Sequence, residues 1–179
     1  VILDIDNTAV VLMPTGQIPG KLYTVGEEVF VLLKKIAKDG SAITLDITQS
    51  SSDFIEALLR KVIPELEEGI GVENRPRIFT IWEHNLKAFA YGVKSNYSLD
   101  VRIAALLHDA GKPRTKGPMK NGEWTFYGHD VVGGRMATEI LERLHYSRHQ
   151  IEKISTLIRW HLFKYESEEE TTDSSIRRL

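Results

Sequence analysis

The chain carries six histidines, at positions 84, 108, 129, 145, 149 and 161, and no cysteine. Disulfides and thiolate metal sites are therefore excluded, and any metal must be held by imidazole and carboxylate. His108 and Asp109 stand side by side at the end of Leu99-Asp-Val-Arg-Ile-Ala-Ala-Leu-Leu107, a strongly apolar helical stripe. Burying either group unpaired is costly, and a divalent cation satisfies both. Neutral imidazole with carboxylate is ligand chemistry for Mn²⁺, Fe²⁺, Zn²⁺ or Mg²⁺. His84 lies inside a second helical stretch, 78–93, whose apolar residues Ile78, Ile81, Leu86, Phe89, Ala90 and Val93 predict a helix buried on both flanks. His161 falls seven residues after Ile154 and three after Ile158, on the apolar face of the last long helix. His129 stands where a short hairpin gives way to a helix. Four histidines on separate helices thus sit where they can converge, whereas His145 and His149 lie around a turn and read as solvated. Taken singly, a histidine on an apolar face is more often a hydrogen-bonded core residue; only the joint arrangement points to a metal.

The elements that must position these side chains follow from patterning. Residues 1–50 read as α/β. Val1-Ile-Leu-Asp-Ile-Asp6 predicts a short strand, and turn-rich sequence follows to Gly20. Residues 27–38 predict an amphipathic helix closed by Gly40, and the β-branched run 41–48 predicts a second strand. Residues 53–67 are helical with a proline at 64. From about residue 76 the chain turns helical. Gly111 reads as a left-handed cap on the 99–110 helix, and Pro113 blocks its restart. Lys120-Asn-Gly-Glu123 predicts a small hairpin. Residues 130–144 are helical, and Ser147-Arg-His-Gln150 is a capping box opening the last long helix. Glu166-Ser-Glu-Glu-Glu170 reads as an exposed charged loop.

The whole is ordinary globular sequence, with 42% hydrophobic and 27% charged residues over 179 positions. No apolar run approaches the ~20 residues of a spanning helix, so a membrane protein is not expected. A net charge of −2 from 23 Lys+Arg and 25 Asp+Glu argues against strong general nucleic-acid binding. Arg102, Arg114, Lys116, Lys120 and Arg135 supply at most a local basic rim. No leader pattern is visible, which favours a cytoplasmic location. The chain opens on Val1 and stops at Leu179 in helix-like sequence, as a fragment of a larger enzyme would.

With these residues in place, the sequence resembles the HD-domain superfamily of metal-dependent phosphohydrolases. That pattern is a His on one helix, a His-Asp doublet on the next, and a distant Asp. His84 in Trp82-Glu-His-Asn-Leu86 matches the first, and His108-Asp109 in Ala104-Ala-Leu-Leu-His-Asp-Ala-Gly-Lys-Pro113 matches the doublet. Within the superfamily the likeness is to the HD region of bacterial tRNA nucleotidyltransferases and poly(A)-polymerase-like proteins. Gly111-Lys-Pro113, then Phe126-Tyr-Gly-His-Asp130 and Gly133, then Trp160-His-Leu162 and Thr172-Asp-Ser-Ser-Ile-Arg-Arg-Leu179 all follow that group, as do Ile63-Pro-Glu-Leu66 and Gly71-Val72 upstream. The likeness covers roughly residues 55–179. It implies a mainly α fold, an HD-type helical bundle with a small hairpin over 53–179, preceded by a short α/β segment over 1–52.

The resemblance further implies a phosphodiesterase or phosphatase: a hydrolase of a phosphorylated nucleotide or RNA end. His84, His108 and Asp109 would hold one divalent ion (Mn, Ni, Fe, Mg or Zn). Lys112 would bind a phosphoryl oxygen, and His129 and His161 would orient the phosphate or protonate the leaving oxygen. Asp109, Lys112, His129 and His161 are the implied catalytic set, and Lys112, His129 and Arg135 the substrate contacts. The last Asp of the pattern is expected beyond the chain's end, so a fourth ligand would lie outside it; Asp173 matches a helix-start residue instead. Trp160 replaces the first His of a His-His pair, which favours a single ion. The alternative is a non-catalytic nucleotide- or RNA-binding module with an incomplete metal site. No Gly-Ser followed by paired carboxylates occurs in residues 1–50, so a nucleotidyltransferase head is not recognisable there. Ile2-Leu-Asp-Ile-Asp-Asn-Thr8 instead resembles the first motif of haloacid-dehalogenase-type phosphatases. Leu33-Lys-Lys-Ile-Ala-Lys-Asp-Gly40 and the strand ending Thr48-Gln-Ser50 resemble the approach to that family's second motif. That fold needs further strands, and the chain turns helical after Ser50, so the segment reads as accessory.

Overall fold

The computed structural model describes residues 1–40, 42–74 and 78–162. The chain packs as two compact units, Val1–Pro64 and Glu65–Leu179. The helix expected from residue 53 goes with the first.

In the first unit, β1 (Ile2–Ile5) pairs antiparallel with β2 (Thr8–Val11). Asp6 and Asn7 form the turn between them, at φ +49° and +63°. Both φ values are positive, as the tight two-residue hairpin turn requires, and Asn tolerates that region best after Gly. Asp4 and Asp6 are exposed. The described strands form two-stranded antiparallel ribbons, not the broad sheet that the dehalogenase-like motif implies.

The helix expected over 27–38 is not formed. Leu32–Asp39 is a strand, β3, paired antiparallel with β4 (Ala42–Thr48) from Leu32↔Thr48 to Asp39↔Ala42. Gly40, at φ +58°, is the hairpin turn and not a helix cap. Asp-Gly is a strong hairpin signal, and the β-branched run after it offers a ladder that helical spacing of Leu33, Ile36 and Ala37 cannot match. Helix α1 (Ser52–Val62) follows, with the Ser51 hydroxyl accepting from the Phe54 N–H, and stops before Pro64.

The second unit is helical. Its elements are α2 (Ile81–Lys94), α3 (Leu99–Leu107), the hairpin β5 (Gly117–Lys120) and β6 (Glu123–Thr125), α4 (His129–Arg143) and α5 (Arg148–Arg159). The expected hairpin is present, with Asn121 and Gly122 at φ +52° and +79°. The Ser147–Gln150 capping box opens α5, and a second box, Thr80 with Glu83, opens α2. α3 packs against α2 and α5, and α4 against α5. Ile81, Leu107, Ile140, Leu141, Ile154 and Ile158 are each 1% exposed or less and form the core.

Three expectations change here. α2 is buried on one side only: Ile81, Trp82, Asn85 and Gly92 are buried, whereas Ile78, Ala90 and Val93 are exposed. α5 ends at Arg159, so His161 lies in the turn just beyond it. Gly111 is no left-handed cap. A Cβ there would collide with the His129 carbonyl oxygen and come within 2.6 Å of the Gly133 nitrogen. Its small size lets the start of α4 close onto the turn after α3. The predicted loop 166–170 and the segment 172–179 lie outside the described residues.

Candidate metal centre

His108 follows directly on α3 in right-handed helical geometry, and Asp109 is next to it. His84 comes from the first turn of α2. His129 is the first residue of α4, and His161 lies two residues beyond α5. All four imidazoles surround the Asp109 carboxylate, whose side chain is 2% exposed. Asp109 Oδ2 lies 3.4 Å from His84 Nε2 and 3.3 Å from His108 Nε2. Asp109 Oδ1 lies 3.5 Å from His129 Nε2 and 3.7 Å from His161 Nε2. The Nε2 atoms also face one another in pairs, 3.1 Å apart for His84 and His108 and 3.3 Å for His129 and His161.

The protonation of three of these rings follows from their other nitrogen. His108 Nδ1 is 2.9 Å from the Ala105 carbonyl oxygen, His129 Nδ1 is 2.6 Å from that of Phe126, and His161 Nδ1 is 2.7 Å from that of Ile158. A carbonyl only accepts, so each Nδ1 donates and each Nε2 carries a lone pair in the neutral ring. Burial lowers the pKa of His84, His129 and His161, which favours that neutral form. Burial alone pushes the Asp109 carboxyl up. The Lys112 ammonium, 2.7 Å from Oδ2, opposes this, and the carboxyl is held well below the usual carboxylate range, so Asp109 is an anion.

Lone pairs and an anion gathered at these distances repel unless a cation lies among them. Ligands about 2.1 Å from an ion stand about 3.0 Å apart at octahedral angles and about 3.4 Å at tetrahedral ones. The observed separations of 3.1 to 3.7 Å fall near that range. Asp109 Oδ1 is a buried atom with no hydrogen-bond partner, an orphan lone pair aimed into the cluster. The donor set therefore fits a divalent cation. It divides into two triads sharing Asp109: His84 with His108, and His129 with His161.

Two further groups complete the surroundings. The Lys112 ammonium donates to Asp109 Oδ2 and to Asn74 Oδ1, each at 2.7 Å. The Asn74 amide donates to Asp109 Oδ2 at 3.3 Å. Asn74 is buried, and the loop bearing it is stapled to the start of α2: its N–H donates to the Phe79 carbonyl at 2.9 Å, and the Ile81 N–H donates to the Val72 carbonyl at 2.8 Å. Sequence reading missed Asn74, because its partners lie 35 and 38 residues away. Arg135 does not join the cluster. It lines a groove between α4 and α5 with Thr138, Ser155, Arg159 and Trp160. His145 and His149 are exposed, as expected.

A helical bundle that gathers histidines around the Asp of a His-Asp doublet defines a class, and comparison with known proteins gives the same answer. Residues 81–178, more than half of the chain, match the HD domain family, to which this chain belongs. Among its relatives is an A-adding tRNA nucleotidyltransferase of Deinococcus radiodurans, 32% identical over an alignment of 133 residues that covers 68% of this chain and 28% of the relative. A CC-adding tRNA nucleotidyltransferase of Thermus thermophilus is 32% identical over 109 residues, 59% of this chain and 25% of that protein. A multifunctional CCA protein of Neisseria meningitidis is 26% identical over 161 residues, 78% of this chain and 38% of that protein. The match thus spans well under half the length of each of these relatives. No helix among the described residues is long and apolar enough to cross a membrane.

Proposed function

We propose that this chain is a metal-dependent hydrolase of phosphate esters, acting on a nucleotide or an RNA end. The observation that carries the reading is the orphaned Asp109 Oδ1 inside a ring of imidazole lone pairs. A divalent cation bound there acidifies water and stabilises charge on phosphoryl oxygens. The residues around it supply the rest. Asp109 contributes one oxygen to each triad. Three imidazoles are fixed in orientation by their carbonyl partners, which is how ligating or proton-handling histidines are held. Lys112 places a positive charge beside the carboxylate, near where a phosphate would approach.

Two assignments of the cluster serve this reaction. In the one the sequence implies, His84, His108 and Asp109 hold the ion, while Lys112, His129 and His161 face the phosphate; Arg135, in the groove between α4 and α5, takes no part there. In the other the two histidine pairs exchange roles. The substrate class is supported by the relatives, whose names place them in nucleotide addition to tRNA. A cytoplasmic setting goes with such a substrate.

The test is release of p-nitrophenol from bis-p-nitrophenyl phosphate and of phosphate from nucleotides, with Mn²⁺, Ni²⁺ or Mg²⁺. Wild type turns over, and His108→Ala and Asp109→Ala each lose at least a hundredfold, about 2.7 kcal/mol of barrier. Equal inertness of all three would leave a nucleotide- or RNA-binding module.

A further inference from the structure

Between Lys112 and His129 the chain makes one excursion, the β5–β6 hairpin. It leaves the cluster and returns to it, so its base is fixed at the site from both ends. Its start is rigid: Pro113–Thr115 is one tight helical turn, and the Thr115 hydroxyl donates to the Gly111 carbonyl at 3.0 Å. The strands are pinned where Gly117 pairs with Thr125. A Cβ at Gly117 would lie 2.5 Å from Thr125 Oγ1, and that hydroxyl donates to the Pro118 carbonyl at 3.0 Å.

Two lysines at the start of the hairpin lie on two aromatic rings at its end. Lys112 Nζ is 5.5 Å from the ring centre of Phe126, and Lys116 Nζ is 3.9 Å from that of Trp124. Residues two apart along a strand share a face and stand about 6.8 Å apart, so the two lysine–ring pairs are successive rungs. The inner rung is already at the cluster, since Lys112 also donates to Asp109 Oδ2. The outer rung is uncommitted: Lys116 is exposed and has no carboxylate partner among the described residues. Lys120, farther out, stands opposite Glu123 in the ladder. Tyr127, two residues before His129, is 76% exposed.

An ammonium without an anion of its own, held on a ring one rung outward from a phosphate-facing lysine, suits the next phosphate of a nucleotide strand, whose phosphates recur at a similar spacing. An open ring beside it offers a base a stacking surface. We propose that the β5–β6 hairpin is the shelf for the nucleotide next to the reacting phosphate, with Lys116 on its phosphate and Tyr127 under a base, so that the site selects an RNA end over a mononucleotide. Trp124 is a positioning residue, acting through Lys116. The inference rests on the proposed function in taking the cluster as the place of the reacting phosphate.

The experiment is fluorescence anisotropy of a labelled single-stranded RNA octamer with a terminal phosphate, titrated with the metal-stripped full chain over a range of salt, the matching mononucleotide serving as competitor. Wild type binds the octamer at least about tenfold tighter than the mononucleotide. Lys116→Met weakens octamer binding at least about fivefold and lowers the salt slope by about one, as loss of one phosphate contact does. Lys116→Arg keeps the affinity. Trp124→Phe retains a ring under Lys116 and keeps it too, whereas Trp124→Leu loses about as much as Lys116→Met. Tyr127→Ala loses at least about fivefold, the worth of one stacked base, and Tyr127→Phe less than about twofold. Lys116 and Tyr127 are exposed, so neither substitution threatens the fold. The inference is overturned if Lys116→Met binds the octamer as wild type does, or if octamer and mononucleotide bind equally. Octamer binding of this kind by a chain inert toward phosphate esters supports the inference and removes the hydrolase reading alone. Turnover of mononucleotides by a chain that does not favour the octamer removes the inference and leaves the hydrolase reading.

Discussion

The two units offer the same kind of chemistry from unequal foundations. Asp4 and Asp6 in the first, and His108 and Asp109 in the second, are both pairs of metal-competent residues close together in sequence. Both of the first pair are exposed, Asp4 within β1 opposite Ala9 and Asp6 in the hairpin turn. That unit has a small core of Val10, Leu12 and Ile47, with Leu3, Ile5, Tyr23, Val31 and Leu45 packed on it, and it leaves Leu33, Ile36 and Ile43 largely in water. The second pair ends a helix whose Leu107 is 1% exposed and whose neighbours share one apolar core. Helix ends anchored in a common core point their side chains at a common place; a ribbon that buries little has nothing to aim with. Residue type proposes chemistry, and packing decides whether it is assembled.

Substitutions should separate the units in proportion. Asp109→Ala takes the buried carboxylate from the partly buried Lys112 ammonium, and breaking such a pair costs about 3 kcal/mol. Urea unfolding of the metal-stripped chain should show that loss in the helical unit. Gly111→Ala forces a methyl against the backbone of His129 and Gly133, and a loss of about 3 kcal/mol is expected. Gly122→Ala, at φ +79° with open space around it, should cost only about 1 kcal/mol.

A pH titration comes next. His84, His129 and His161 have folded pKa values lowered by burial, so below about pH 6.5 the unfolded chain binds more protons than the folded one. Melting temperature of the stripped protein should fall as pH drops below 6.5. It should fall further below about 3.8, where unfolded Asp109 takes a proton that its depressed folded pKa refuses. The smallest effect belongs to the ribbon. Ile36→Ala, at a position 62% exposed, should stay within about 0.5 kcal/mol by the same unfolding measurement.

Much of this was legible before any coordinates. The His108-Asp109 doublet, the convergence of His84, His129 and His161 on it, the hairpin at Asn121-Gly122 and the cap at Ser147 are written in local spacing and residue type. What was hidden depends on contacts between distant segments. Residues 32–39 satisfy a helical period, and only pairing with 42–48 makes them a strand. Gly111 looks like a cap until α4 is seen pressed against it. Asn74 carries no local signal at all, since its place is fixed by a loop folded onto α2. The two faces of the Asp109 carboxylate are likewise a product of which side Lys112 takes.

Elemental analysis of the purified full chain, beside Asp109→Ala prepared in the same way, reads out whether this cluster is a cation site. About one equivalent of a divalent metal should accompany wild type and be absent from the variant. Equal metal content in the two, or none in wild type even after dialysis against Mn²⁺, would contradict the account.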